Sequence, residues 1–224
     1  MSLQNKILGI IFLCHTFQFL SAQELLNDQY YQGDYQQVIQ SASQLIQSGD
    51  TSFNTYYLKA LSEAQLGQSP EAIETLEKAL TVHSDDIRLK RMLAGQYFDA
   101  GDYVRSRQGY VELVSRDSSD VSSWMKLAEM ASFRQQYDEA IDALNQVLAV
   151  DSMNLSSLMM MGDILNRHNN NGAVVYYKRA YNLYPDNQKA AFALGNWHIQ
   201  SKEPWFAIPI CQHMLDIDTT SIKF

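Results

Sequence analysis

The residue types that most often carry chemistry in enzymes and metal sites are few in this sequence and widely spaced. The five histidines stand at 15, 83, 168, 198 and 213, with no HExxH pattern, no closely spaced cysteine pair and no glycine-rich phosphate loop. His83 with Asp85 and Asp86 comes nearest to a metal site, but these residues lie where a polar turn is expected, and a zinc site needs three or four converging ligands. We therefore expect no enzyme activity, no catalytic residue, no metal and no cofactor.

The one cysteine beyond the N-terminal segment does not suggest a reactive thiol. Cys211 has no second cysteine after residue 14 with which to form a disulfide. His213 is close in sequence, but residues two apart on a helix do not face one another. Cys211 falls at an inward position of a helical pattern, so we expect it to be buried as a small apolar side chain.

The elements that position any site are clearest in the 34 residues from Val121 to Asn154. The break at 135–138 leaves room only for a tight turn, so this stretch predicts two antiparallel helices that meet along small residues. Apolar or small residues recur on either side of the break at helical spacing, first Trp124, Leu127, Ala128 and Ala131, and then Ala140, Leu144, Val147 and Leu148.

This pattern resembles the tetratricopeptide repeat, which asks for Trp, Leu, a small residue and Tyr in its first helix, then Ala, an aromatic residue, Ala and Pro. The resemblance implies an all-α fold, a right-handed superhelical solenoid of antiparallel helix pairs. The period extends beyond the best repeat, because Gly33, Gly67, Gly101 and Gln135 are each 34 residues apart. A glycine that ends a helix supplies the left-handed backbone that other residues resist. We divide the solenoid, residues 23–224, into about six repeats, 23–50, 51–84, 85–118, 119–152, 153–185 and 186–219.

The last two repeats depart from the pattern. From Gly162 to Pro185 there are 23 steps where the repeat family has 24, so we expect the turn at 169–172 to have lost one residue. Pro209 falls inside the second helix of the sixth repeat and should bend or delay it. No C-terminal capping helix follows, although terminal repeats normally have one. We expect Met214, Leu215 and their neighbours to pack on a partner or on a second copy in an oligomer, unless the chain is a truncated form of a longer protein.

Residues 1–22 differ in kind from the rest. Lys6 precedes an apolar run from Ile7 to Leu13, and Ser21-Ala22-Gln23 offers small residues for cleavage, which is typical of a secretory signal peptide. An uncleaved anchor is the alternative, but a transmembrane helix needs ~20 apolar residues and this run is shorter. We expect an exported bacterial protein, periplasmic or secreted. The net charge of −8 and the absence of a basic run argue against binding to nucleic acid or to an anionic membrane surface.

In the tetratricopeptide family, the first helices of successive repeats line a concave groove, and the resemblance implies which residues of this chain do so. Arg88 and Arg91 are three apart on one helix, so both could meet a carboxylate of one ligand. They could equally be solvated charges near Asp85 and Asp86. The candidate groove residues are Tyr57, Arg88, Arg91, Phe98, Met125, Glu129, Met159, Asp163, Phe192 and Asn196.

Two functions fit these observations. The first is a non-catalytic scaffold that binds a protein or peptide segment in the concave groove. The second is a sensor or accessory domain of a larger assembly in the cell envelope, with its output domain elsewhere. A groove that is merely lined, with no ligand, remains the alternative to both, since a fold implies no function without a site.

Overall fold

The structure is a computed structural model that describes residues 22–221, with side chains described as far as residue 217. This part of the chain is helical and contains no β-strand. It divides into two compact units, the first ending at Leu113 and the second beginning at Val114. The predicted all-α fold of antiparallel helix pairs is confirmed. The predicted signal peptide lies outside the described residues, except for Ala22.

The first unit contains three helix pairs, with the end of the sixth helix extending past Leu113. Its helices are α1 (22–31), α2 (Tyr35–Gln47), α3 (Phe53–Gln65), α4 (Ser69–Val82), α5 (Ile87–Asp99) and α6 (Tyr103–Arg116).

The second unit continues the same alternation of helices and short turns. Its helices are α7 (Val121–Phe133), α8 (Tyr137–Val150), α9 (Leu155–Arg167), α10 (Ala173–Leu183), α11 (Gln188–Gln200) and α12 (Ala207–Ser221), with a 3-10 turn (Pro204–Phe206) before α12.

One left-handed residue ends the first helix of each pair. Because an L side chain is strained at positive φ, glycine is favoured there, yet only half of these positions carry it. The turn residues are Gly33 (φ 82), Gly67 (φ 72), Gly101 (φ 80), Gln135 (φ 60), Asn169 (φ 52) and Lys202 (φ 62). Their spacing stays at 34 as far as Asn169 and then falls to 33.

The shortening of the fifth repeat therefore follows its left-handed residue. Helix α8 begins at Tyr137, two residues after Gln135, whereas α10 begins at Ala173, four residues after Asn169. Helix α10 has 11 residues where α8 has 14. The first buried alanine of the second helix lies five residues after Gln135 (Ala140) but four after Asn169 (Ala173), so by this register the missing residue was lost within the predicted segment 169–172.

A polar cap also recurs with the repeat. The side chains of four residues accept hydrogen bonds from backbone N–H groups that would otherwise lack a partner at the start of a helix. These caps begin α5, α7, α9 and α11 and are Asp86, Asp120, Asn154 and Asn187. They explain why these four junctions between repeats are polar without requiring a ligand there.

Small residues allow the two helices of a pair to approach each other closely. Ala60 and Ala128 are completely buried on the first helices of their repeats, and the fifth repeat has Gly162 at the corresponding position. A Cβ on Gly162 would lie 2.5 Å from Cε1 of Tyr177, so this glycine makes room for a tyrosine ring on the second helix.

The expectation that Cys211 is buried is wrong, because its side chain is exposed. The corresponding residues of earlier second helices, Leu76 and Leu144, are completely buried. In those repeats a following first helix packs on this face. No described residue does so after α12, and Ile210, on the side of α12 that faces α11, is buried instead.

Candidate functional site

The structure distributes the ten predicted groove residues over three places. Tyr57, Arg88, Arg91 and Phe98 lie in the first unit. In the second unit, Met125, Glu129, Met159 and Asp163 line one cavity, and Phe192 and Asn196 line another. We describe each place separately.

In the first unit, the aromatic side chains near Arg88 and the acid beside it determine what this arginine can do. Its guanidinium lies 3.8 Å from the ring centroid of Phe53, and that ring stacks on Tyr57 at 5.1 Å. The same guanidinium pairs with Asp86 at 2.7 Å, and this hydrogen bond holds the pKa of the Asp86 carboxyl below its usual range. The charge of Arg88 is thus already met by a carboxylate of its own chain.

The other two candidates of the first unit are partly covered. Arg91 is half-buried on α5. Phe98 is also half-buried and meets the ring of Tyr103 edge-on, with 5.3 Å between centroids. Neither side chain projects freely from the surface.

The four candidates on α7 and α9 line a single open cavity of about 760 Å³, which we call the α7–α9 cavity. Each helix contributes two of them, four residues apart, because that spacing brings side chains to one face of a helix. The full lining is Met125, Glu129, Ser132, Leu155, Ser156, Met159, Met160, Asp163, Ile164, Arg167, Asp186, Asn187, Gln188 and Lys189.

Contacts from neighbouring helices hold several of these side chains in place. Ser157 Oγ donates a hydrogen bond to Met125 Sδ at 2.9 Å. Tyr177 Oη donates to Asp163 Oδ1 at 2.7 Å, and burial together with this carboxylate raises the pKa of the Tyr177 hydroxyl above its usual value. Met125 and Asp163, two residues of the lining, are therefore held by contacts within the fold.

The rim of the α7–α9 cavity carries both signs of charge. Glu129, Asp163 and Asp186 supply carboxylates, while Arg167 and Lys189 supply cations. Sequence reasoning missed Arg167 and the 186–189 segment, because it considered only the four groove positions of each first helix. In the sequence, Asn187 could have indicated the 186–189 segment, because this residue caps α11 and a capping residue lies next to the first turn of its helix.

The third place is an opening of about 600 Å³ between α11 and α12, which we call the α11–α12 cavity. Phe192 and Asn196 line it from α11, and the exposed Cys211 lines it from α12. These two groove candidates therefore do not lie in the α7–α9 cavity.

A further cavity of about 1080 Å³ was not anticipated from the sequence. It lies among α10, α11 and the 3-10 turn, and Trp197, His198 and Phe206 form an aromatic part of its lining. The second helix of the sixth repeat, α12, begins at Ala207, which by the repeat spacing corresponds to Ala173 at the start of α10. Its start is late relative to α8 but not relative to α10, so the delay expected from Pro209 stays a prediction.

The residues considered for a metal site have other roles. His83 Nε2 lies 2.7 Å from the carbonyl oxygen of Thr51, and Asp86 caps α5. Among the described residues, no three His, Cys, Asp or Glu side chains are placed to hold a metal ion.

Comparison with known proteins agrees with the repeat pattern. Residues 57–121 and residues 121–152 each match a family model described as the tetratricopeptide repeat. A crystal structure of MamA has a TM-score of 0.67 at 14% identity, covering 75% of this chain and 92% of that one. The chain has the tetratricopeptide-repeat fold.

Two further structures give the same result. MamA from residue 41 onward, from Desulfovibrio magneticus RS-1, has a TM-score of 0.65 at 15% identity, covering 77% of this chain and 97% of its own. YrrB, described as a tetratricopeptide-repeat protein with an unusual peptide-binding site, has a TM-score of 0.63 at 16% identity, covering 77% of this chain and 89% of its own. Comparison with curated protein sequences gives no match.

Between residues 22 and 221, no helix combines the length and the apolar composition that crossing a bilayer requires.

The repeat fold supports a general role as a protein-interaction scaffold.

Proposed function

We propose that this protein is a non-catalytic scaffold that binds a protein or peptide segment in the α7–α9 cavity. The observation that carries the proposal is the lining of that cavity, in which three methionines lie together with carboxylates and cations. Methionine side chains adapt to ligands of different shape, and charges of both signs at a rim give orientation and specificity. YrrB offers a precedent in the same fold, since its structure is described as containing a peptide-binding site.

The cavity suits a segment of polypeptide better than a small molecule. It is open and shared by two parallel first helices, so a ligand can lie along it and contact Met125 and Met159 in succession. Glu129 is paired with Lys126 at 2.7 Å, and Asp163 with Tyr177, so a ligand meets side chains that are already held in position. Either an extended or a helical segment satisfies these contacts.

The test is photo-crosslinking from the cavity in the source cells. A photoreactive residue in place of Met160 should capture a partner, and the double charge reversal Glu129→Lys with Arg167→Glu should abolish that capture. Asp142→Lys, on the exposed outer face of α8, is the matched control and should leave capture unchanged. If the double reversal and the control give the same captured proteins, binding in the α7–α9 cavity is refuted.

We also propose that the protein is bacterial and exported, and that it acts in the periplasm or outside the cell as part of an envelope assembly. This proposal rests on the N-terminal sequence, with Lys6, the apolar run that follows it, and the small residues at 21–22. N-terminal sequencing of the protein from fractionated cells should find Gln23 first in the exported fraction. Recovery of the uncleaved chain in the cytoplasm would contradict export.

A further inference from the structure

The α11–α12 cavity has an uncharged and largely apolar lining, and it adjoins the α7–α9 cavity, because Gln188 lines both. Its ten lining residues, which belong to α11 and α12, include no charged side chain. At its edges Phe192 is 71% exposed and Leu215 58% exposed. Exposed apolar side chains grouped at an opening are one mark of an interaction site.

The preceding repeat shows what fills such a surface. The corresponding face of α9 and α10 is covered by α11, whose Ala190 clusters with Leu158 and Ala180. Leu194 of α11 clusters with Tyr177 of α10. By the repeat spacing, Cys211 on α12 corresponds to Tyr177 on α10, so the α11–α12 cavity presents to its surroundings the face that binds a first helix one repeat earlier.

We propose that the α11–α12 cavity binds an amphipathic helix of a different protein, which packs as a first helix of the next repeat would. The side chains by which α11 fills the preceding face define the chemistry of that helix. It carries two adjacent small residues, a leucine three positions later and a large apolar residue three positions after that, as Ala190, Ala191, Leu194 and Trp197 do. This binding is independent of the function proposed for the α7–α9 cavity.

The chain's own first helix fits this description only in part, which is why we assign the partner to a different protein. By the repeat spacing, Ala22, Leu25 and Asp28 of α1 correspond to Ala191, Leu194 and Trp197. Leu25 is 53% exposed and would fit. Asp28 would instead bring a carboxylate to an uncharged surface, and burial of an unpaired charge is strongly unfavourable.

The test uses the full chain with Cys14→Ser, which leaves Cys211 as the single thiol. The probe is a stapled 13-residue peptide with the sequence of α11, in which the positions of Phe192 and Ile199 are glutamine for solubility. At about ten times its Kd, the peptide should slow alkylation of Cys211 by a maleimide about tenfold, because only the unoccupied fraction reacts. A control peptide with aspartate at the positions of Leu194 and Trp197 should have no effect.

Two protein variants test whether the peptide binds in the α11–α12 cavity. Leu215→Lys adds a charge to the cavity and should abolish protection, whereas Val175→Lys, at a residue of α10 that is 61% exposed, should retain it. Equal protection by both peptides, or none from the probe at millimolar concentration, would overturn the proposal. So would self-association of the chain in sedimentation experiments that is lost in Leu215→Lys, since the occupant would then be a second copy.

Discussion

A buried ion pair in α3 replaces apolar packing, and we expect its two halves to be strongly coupled. Lys59 and Glu63 occupy the repeat positions that Leu127 and Ala131 hold in α7. Their side chains are only 16% and 3% exposed, and Lys59 Nζ donates hydrogen bonds to Glu63 and, at 2.7 Å, to Thr75 Oγ1. The perturbation replaces each by its α7 counterpart, Lys59→Leu and Glu63→Ala, singly and together.

The expected change in unfolding free energy depends on which charges each substitution leaves buried. Either single change leaves one charge buried without its partner and should cost about 3–5 kcal/mol of unfolding free energy. The double change removes both charges and restores the apolar packing of α7, so it should be neutral within ~1 kcal/mol or stabilising. Glu63 Oε2 accepts no hydrogen bond from the described residues, so the pair offsets its desolvation incompletely. With these single and double costs, the coupling energy should be about 5–10 kcal/mol.

The assay is urea unfolding followed by circular dichroism, with amide hydrogen exchange in α3 and α4 to assign the loss to this repeat. The exposed pair Glu74 and Lys78, at 2.6 Å on α4, is the control, and Lys78→Ala should leave the unfolding free energy unchanged within error. The reasoning is refuted if either single change costs less than ~1 kcal/mol, or if the double change costs the sum of the two.

Further predictions concern single positions. Gln135→Gly should stabilise the fold by about 0.5–1 kcal/mol, because it relieves a left-handed backbone at φ 60, and a lower urea midpoint would contradict this. Ala128→Leu should cost roughly 1–3 kcal/mol through overpacking, and a cost below ~0.5 kcal/mol would show that Ala128 does not lie at the close helix crossing. The lowered pKa of Asp86 means that its contribution to stability is complete above the unfolded value of ~3.9 and lost as pH falls through the folded-state pKa. The difference in unfolding free energy between the parent and Asp86→Ala should therefore shrink in acid. Asp28→Leu should let the chain self-associate end to end, and sedimentation that shows only monomer would argue against the helix register assigned to the α11–α12 cavity.

The sequence predicted the fold well because the repeat is a local property. Helical spacing and a turn every 34 residues are visible without any knowledge of neighbours, and the structure places left-handed residues at Gly33, Gly67 and Gly101. Gln135 was included in the same series by spacing alone, and its φ of 60 shows that the turn persists without glycine. The division into six repeats and a signal peptide stays a prediction.

The candidate site was less accessible, since exposure depends on what packs against each residue. The helical pattern alone makes Cys211 an inward residue, but it becomes buried only if another helix follows α12. Spacing alone groups Arg88 with Arg91, and no pattern in the sequence indicates that the Arg88 guanidinium stacks on Phe53, 35 positions earlier. Whether the candidate residues bind a ligand also stays a prediction.

The two proposed binding surfaces differ in charge, which separates them experimentally. The α7–α9 cavity has five ionisable side chains in its lining, Glu129, Asp163, Arg167, Asp186 and Lys189, whereas the α11–α12 cavity has none that is charged. Salt screens exposed charges over about 8–10 Å at physiological ionic strength, and it does not weaken apolar contacts in the same way. A partner of the α7–α9 cavity should therefore dissociate as salt is raised, while a helix in the α11–α12 cavity should stay bound. Because one chain carries both surfaces, a salt titration on a single preparation assigns each captured partner to its cavity.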